Sequence, residues 1–330
     1  MTTTAMDTPA SKQYFEYLPV AFFGSVMGLS GLSVAWKYAH TLFGLPLWVS
    51  SMIGALAVLS FLALAFAYTG KLLTASAAVR NEFNHPISGN LFGTFFISLL
   101  LLPIVLADVN LELARGMWII GAVSMTVFAW WTVNRWMGRQ QQLEHATPAW
   151  IVPVVGMLDV PLALPSLDMP GLHDVMIFAL AVGLFFAVPL FTLIFSRLLF
   201  QAPIPDAMQP SLLILVAPFA VGFSAYIATT GHVDLFAEAL FFLTLFILAV
   251  LLTRLRSLAH CCPFRVSWWA VSFPLAASSA AAMKFLAFER NMATESIAVA
   301  LLVFATAVIA GLFARTLFGI FRGELRALST

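Results

Sequence analysis

Residues Ser267–Phe285 read SWWAVSFPLAASSAAAMKF, with no charge before Lys284. A run this long and this apolar crosses a bilayer as a helix. Phe273 and Pro274 stand side by side within it, and Ala276 to Ala282 are alanine and serine only. An interior proline removes a backbone hydrogen bond and bends the axis, while small residues open space or permit close packing. A large ring at a bend, with space beyond it, is what an occluded conduit needs. The other reading is a packed membrane helix with an incidental phenylalanine, in a chain that holds 31 of them.

The rest of the chain has the same character. It is 62% hydrophobic and 9% charged, against roughly 25% charged residues in a soluble domain. Mean hydropathy is +0.97. The apolar runs are too long and unbroken for the alternating strands of a membrane barrel, so the chain reads as an all-α integral membrane protein. A net charge of +1 singles out no partner, and no nucleic-acid partner, cofactor or metal is expected. Cys261 and Cys262 adjoin His260 but have no His cluster around them; inert thiols are the expectation. The polar N-terminus lacks the basic segment of a cleaved signal.

Ten spans are expected: Leu18–Tyr38, Leu47–Thr69, Gly89–Ala107, Gly116–Val133, Trp150–Leu164, Val175–Leu198, Ser211–Ala228, Leu235–Leu252, Ser267–Phe285 and Ala293–Phe318. They form one transmembrane domain over residues 18–319, flanked by short cytoplasmic segments at 1–17 and 320–330. Short links favour antiparallel hairpins. With ten spans, 12 of the 16 Lys and Arg fall on the side of both termini and 4 on the other, which places both termini in the cytoplasm.

Proline is distributed unevenly. Every odd span carries it (Pro19, Pro103, Pro153 with Pro161, Pro218, Pro274), whereas among even spans only the sixth does, at Pro189. Irregular helices survive in a membrane where protein or a watery cavity covers their loose backbone groups. Five hairpins are therefore expected, each with an inner, proline-kinked odd helix and an outer, regular even one.

Four segments carry a resemblance. They are FFGSVMGLSGLSVAW (Phe22–Trp36), NEFNHPISGN (Asn81–Asn90), APFAVGFSAY (Ala217–Tyr226) and WWAVSFPLAA (Trp268–Ala277). In this order and spacing they resemble the TehA family, which joins bacterial tellurite-resistance proteins, yeast-type malic-acid transporters and plant slow-type guard-cell anion channels. The resemblance implies five hairpins around a quasi-fivefold central pore, a homotrimer with one pore per subunit, and passive conduction of small anions. It also implies that a phenylalanine of the ninth helix plugs the pore, and Phe273 holds that position. Phe219, Phe223, Phe22 and Phe23, with Pro218, Pro103 and Pro274, become pore-lining candidates. A bacterial inner membrane is the implied location.

No ring of Arg or Lys lies within the spans, so selectivity of the usual charged kind is absent from the sequence. A lining of backbone, small hydroxyls and aromatic edges favours anions that shed water cheaply, nitrate and larger halides over chloride. Asp159, in VVGMLDVPLAL, is the odd residue: an intramembrane carboxylate costs roughly 2.5–3.5 kcal/mol and usually faces a cavity. It is either wet at an early end of the fifth span or a proton-linked group. The second case fits a proton-linked exporter of small, malate-like dicarboxylates, or a tellurite-related oxyanion transporter. His85 either meets substrate at the inner mouth or organises the start of the third span. Lys284 either snorkels to headgroups or draws anions to the outer mouth. Glu238 complements the N-terminal end of the eighth span. The spans hold no HExxH, no Gly-x-Ser-x-Gly and no clustered His, so an enzyme is not expected.

Overall fold

A computed structural model describes residues 15–255 and 264–329. Among these residues the chain is helical throughout, with ten helices long and apolar enough to cross a membrane. They are α1 (Val20–Phe43), α2 (Leu47–Thr74), α3 (Ser88–Leu106), α4 (Leu111–Gly138), α5 (Pro148–Leu167), α6 (His173–Phe200), α7 (Asp206–Thr230), α8 (Leu235–Arg254), α9 (Val266–Phe288) and α10 (Met292–Phe321). Several run a turn or so past the expected ends, because charged residues such as Lys71 and Arg135 still sit on helix. The second link, read from sequence as a loop, contains a short helix at Ser76–Asn84.

Burial divides the helices by parity. In their most apolar windows the odd helices are 67–83% buried and the even ones 28–39%. Links from an odd helix to the next even one are only three to five residues long, so each such pair is a hairpin with one inner and one outer arm. The outer arms α4, α8 and α10 begin with side-chain caps: Asn110, Asp234 and Asn291 accept from backbone N–H groups of the first turn. Tyr226 also donates to Asp234 at 2.6 Å, and this bond, with the Ala237 N–H, holds that exposed carboxyl below its ordinary range.

The inner arms begin differently. Each opens as a 3₁₀ segment (Val20–Phe23, Ser88–Phe92, Pro148–Ile151, Asp206–Val216, Val266–Val271) and then widens into α-helix. Pro153, Pro161, Pro218 and Pro274 fall in the first turn of the α-helical piece that follows a 3₁₀ segment, where the missing N–H costs least. Pro103 alone among these stands deep in its α-helical segment. Outer helices also satisfy inner backbone: Trp118 Nε1 of α4 donates to the Val160 carbonyl at 2.9 Å, and Arg115 Nε to that of Leu167 at 2.8 Å.

Helices α1 and α9 pack along a seam of small residues. Ser272 Oγ donates to the carbonyls of Trp269 (2.7 Å) and Gly24 (3.2 Å), and a Cβ on Gly28 would overlap the Ser272 side chain. A Cβ on Gly31 would lie 3.0 Å from Ala276 Cβ and 3.7 Å from the Phe273 ring. Helix α10 clamps the pair from outside, with Trp36 Nε1 donating to Thr306 and Trp269 Nε1 to Thr316, both at 3.0 Å. Gly28→Ala is expected to lower stability by about 1–3 kcal/mol, the cost of overpacking. Thermal unfolding in detergent reads this, and Ser272→Gly in the same chain should recover part of the loss; a strictly additive double variant would refute the contact.

Candidate functional site

Two cavities lie end to end inside the inner helices. The first, of about 300 Å³, opens on the face where α1 begins, and the second, of about 420 Å³, on the opposite face. All five odd helices line both cavities and no even helix lines either. Each inner helix presents one stripe at three- and four-residue spacing, the signature of a single helical face. On α1 the stripe is Ala21, Gly24 and Met27 in the first cavity, then Gly31, Val34 and Tyr38 in the second. On α9 it passes through Ala270 and Phe273 to Ala277, Ala280 and Lys284.

Only Phe273 and Val221 belong to both linings, so these two side chains stand where the cavities meet. The Phe273 residue is 8% exposed. Its neighbours along α9 on the second side are alanines, which leave that wall recessed. Pro274 lines the first cavity beside it.

The other expected lining residues lie elsewhere. Phe23 joins an aromatic cluster with Phe61, Tyr68 and Phe95, centroids 5.0–6.3 Å apart. Phe219 packs on Phe191 of α6, and Phe223 on Phe241 and Phe285. Phe22, Pro218 and Pro103 are buried but line neither cavity. The α7 residues that do face the path are Ile214, Ala217, Val221 and Ser224, a helical face away from Phe219 and Phe223.

The titratable candidates separate by cavity. Asp159 lines the first; it is 2% exposed, and its Oδ1 is sealed without a hydrogen-bond partner. Helix α5 continues three residues past the expected Leu164, so Asp159 stands within the helix and not beyond its end. His85 also borders the first cavity, at its exposed mouth, where its Nδ1 accepts from the N–H groups of Ile87 (3.2 Å) and Ser88 (3.1 Å). It thus organises the start of α3 while facing the opening. Lys284 lines the second cavity with its ammonium 5.6 Å from the Tyr38 ring centroid, and makes no ion pair among the described residues. Glu238 lies in the first turn of α8 and faces neither cavity. His260, Cys261 and Cys262 are outside the described residues.

A polar hub that sequence reading left unassigned ties this site to the chain's N-terminal side. Glu82 accepts from the Val20 N–H (2.7 Å), the Tyr68 hydroxyl (2.9 Å) and the Lys71 ammonium (2.7 Å). Lys71 also donates to the Leu18 carbonyl at 2.7 Å and is 3% exposed. The pair therefore caps the 3₁₀ start of α1 and pins the short helix beneath the first cavity. Nothing local in the sequence marks it, since 62 residues separate Val20 from Glu82.

Fold and site together define a membrane protein whose five inner helices enclose two cavities that meet at Phe273 and Val221. The sequence model of the family described as "Voltage-dependent anion channel" matches residues 17–317. The chain belongs to this family, SLAC1. It is 28% identical to S-type anion channel SLAH3 of Arabidopsis thaliana, over 91% of this chain and 48% of that protein. It is 26% identical to the tellurite resistance protein TehA homolog of Haemophilus influenzae, over 93% of this chain and 92% of that protein. It is 25% identical to an uncharacterized transporter, MJ0762, of Methanocaldococcus jannaschii, over 84% and 88%. The chain spans about half the length of the first two plant relatives, at 48% and 57%.

Removing one partner of a buried ion pair costs about 3–5 kcal/mol. Glu82→Ala should therefore unfold the α1 start and lower thermal stability steeply, and the combination with Lys71→Met should cost less than the single change. Equal losses in the two proteins, by thermal melts, would mean that Lys71 gains nothing from Glu82.

Proposed function

We propose that the chain is a passive channel for small monovalent anions and that the Phe273 ring closes it. The supporting observation is the pair of cavities, lined by the same five helices, that meet at this one aromatic side chain. A neutral ring in a narrow apolar lumen blocks by its volume and by excluding water. The recessed alanine wall beyond it gives the ring a place to move. Membership of an anion-channel family supports the ion type, and Lys284, unpaired in the second cavity, supports the sign of charge. The lining offers an anion weak contacts from which it departs easily, as conduction requires. Nitrate and larger halides should pass better than chloride, and a preference for strongly hydrated fluoride would contradict the lining.

The same reading puts both termini in the cytoplasm, on the 12-to-4 distribution of Lys and Arg, and the family resemblance implies a bacterial inner membrane. The family resemblance adds a homotrimer with one pore per subunit. A proton-linked exporter of small dicarboxylates is the competing reading, and Asp159 in the first cavity is the observation in its favour.

Purified protein in planar bilayers separates the two. Phe273→Ala is expected to raise anion current by about tenfold or more, the effect of removing some 1.4 kcal/mol of barrier. Saturable, pH-driven flux without such current would establish the exporter. Unchanged current in a folded Phe273→Ala protein would move the closure away from this ring. Lys284→Gln in the open variant should lower current at low ionic strength and much less at high salt, because screening already removes the attraction there.

A further inference from the structure

The first cavity holds a carboxyl group that no described residue neutralises. Asp159 is the innermost residue of the α5 stripe on that side, just as Met27, Ile97 and Phe273 are for α1, α3 and α9. An anion waiting beside the Phe273 ring would therefore meet it. Neither carboxyl oxygen accepts a hydrogen bond from a described residue, and Oδ1 is fully enclosed.

The charged groups around it are few and distant in the fold. Among the described residues His85 is the only other titratable residue on the first cavity, and it sits at the mouth with Nδ1 committed to backbone N–H groups. Lys284 lies in the second cavity, on the far side of Phe273. Helices α1, α3, α7 and α9 bring no other charge to the first cavity. Helices α4 and α6, which pack against α5, carry Glu112, Arg115, Arg135, His173, Asp174 and Arg197 in their first or last turns only.

A carboxyl group so placed does opposite things in its two forms. Ionised, it faces an approaching anion across a low-dielectric space with no cation among the described residues of that cavity to offset the repulsion. Neutral, it offers one O–H donor in a cavity otherwise poor in donors. A hydrogen bond from O–H to an anionic oxygen is short and about twice as strong as a neutral one. We propose that Asp159 determines which anions pass the first cavity, admitting hydrogen-bond-accepting oxyanions when it carries its proton and barring anions when it does not. The proton remains on Asp159 throughout, and no group is transferred. This inference rests on the channel reading above.

The test uses the full chain in planar bilayers with Phe273→Ala as the open background. Conductance of that variant should fall severalfold as pH rises over about pH 5 to 9. Adding Asp159→Asn, which keeps the volume and a donor but cannot ionise, should flatten the profile at the high level. Adding Asp159→Leu should also flatten it, while lowering the nitrate-to-chloride permeability ratio read from bi-ionic reversal potentials. His85→Asn in the same background should leave the slope intact. An Asp159→Asn protein with the slope of its parent, or a leucine variant with an unchanged permeability ratio, would overturn the proposal alone. No anion current in Phe273→Ala at any pH would overturn the channel reading and this inference with it.

Discussion

Where Gly28 of α1 meets Ser272 of α9, only the serine side chain separates the two helices, and Ser272 spends its hydroxyl on carbonyls of both. Phe273 follows immediately, so the height and direction of its ring are set by this contact. A larger residue at Gly28 or Gly31 would push α9 outward and carry the ring with it. Close approach through glycine and serine is also how membrane helices associate when lipid is as apolar as their side chains. The seam therefore serves assembly and ring placement at once.

The 3₁₀ openings of the inner helices are intelligible on the same terms. A 3₁₀ segment has poorer hydrogen-bond geometry than an α-helix and would be costly against lipid. Here each is enclosed by regular outer helices whose lipid-facing surfaces are plain apolar residues. In α5, α7 and α9 proline at the junction starts the α-helical piece without losing a needed donor. Both cavities lie along these inner helices alone. Irregular backbone is thus confined to the path, and the outer arms supply donors such as Trp118 and Arg115 where carbonyls are left over.

Much of this was legible in the chain itself. Proline on alternate spans marks the inner arms, because backbone irregularity has a strong and local sequence cause. Phe273 beside Pro274, ahead of a run of alanine and serine, marks the place where the two cavities meet. Asp159 announces itself as a lone carboxylate in an apolar run. The direction of the other phenylalanines was not legible: Phe219 and Phe223 are four apart on one face of α7, and the sequence does not say which face is inward when both are apolar. The Glu82 hub was hidden for a different reason, since its partners Val20, Tyr68 and Lys71 come together only after α1 and α2 have folded back on the short helix.

Under the channel function proposed above, the charges along the two cavities account for an anion preference without an arginine ring. Fixed cations bind anions tightly, and a narrow lumen that binds tightly conducts slowly. Lys284, which makes no ion pair among the described residues, is set back in the second cavity near Tyr38, where under that proposal it would raise local anion concentration without coordinating an ion at the constriction. The carboxyl group lies on the other side of the ring, in the smaller cavity. Under the same proposal an ion crossing between them would pass an apolar collar of Phe273 and Val221, where the cost would be loss of water and the discriminating property hydration. Charge at the two approaches and dehydration at the centre are then separate controls, placed on different helices and open to independent change.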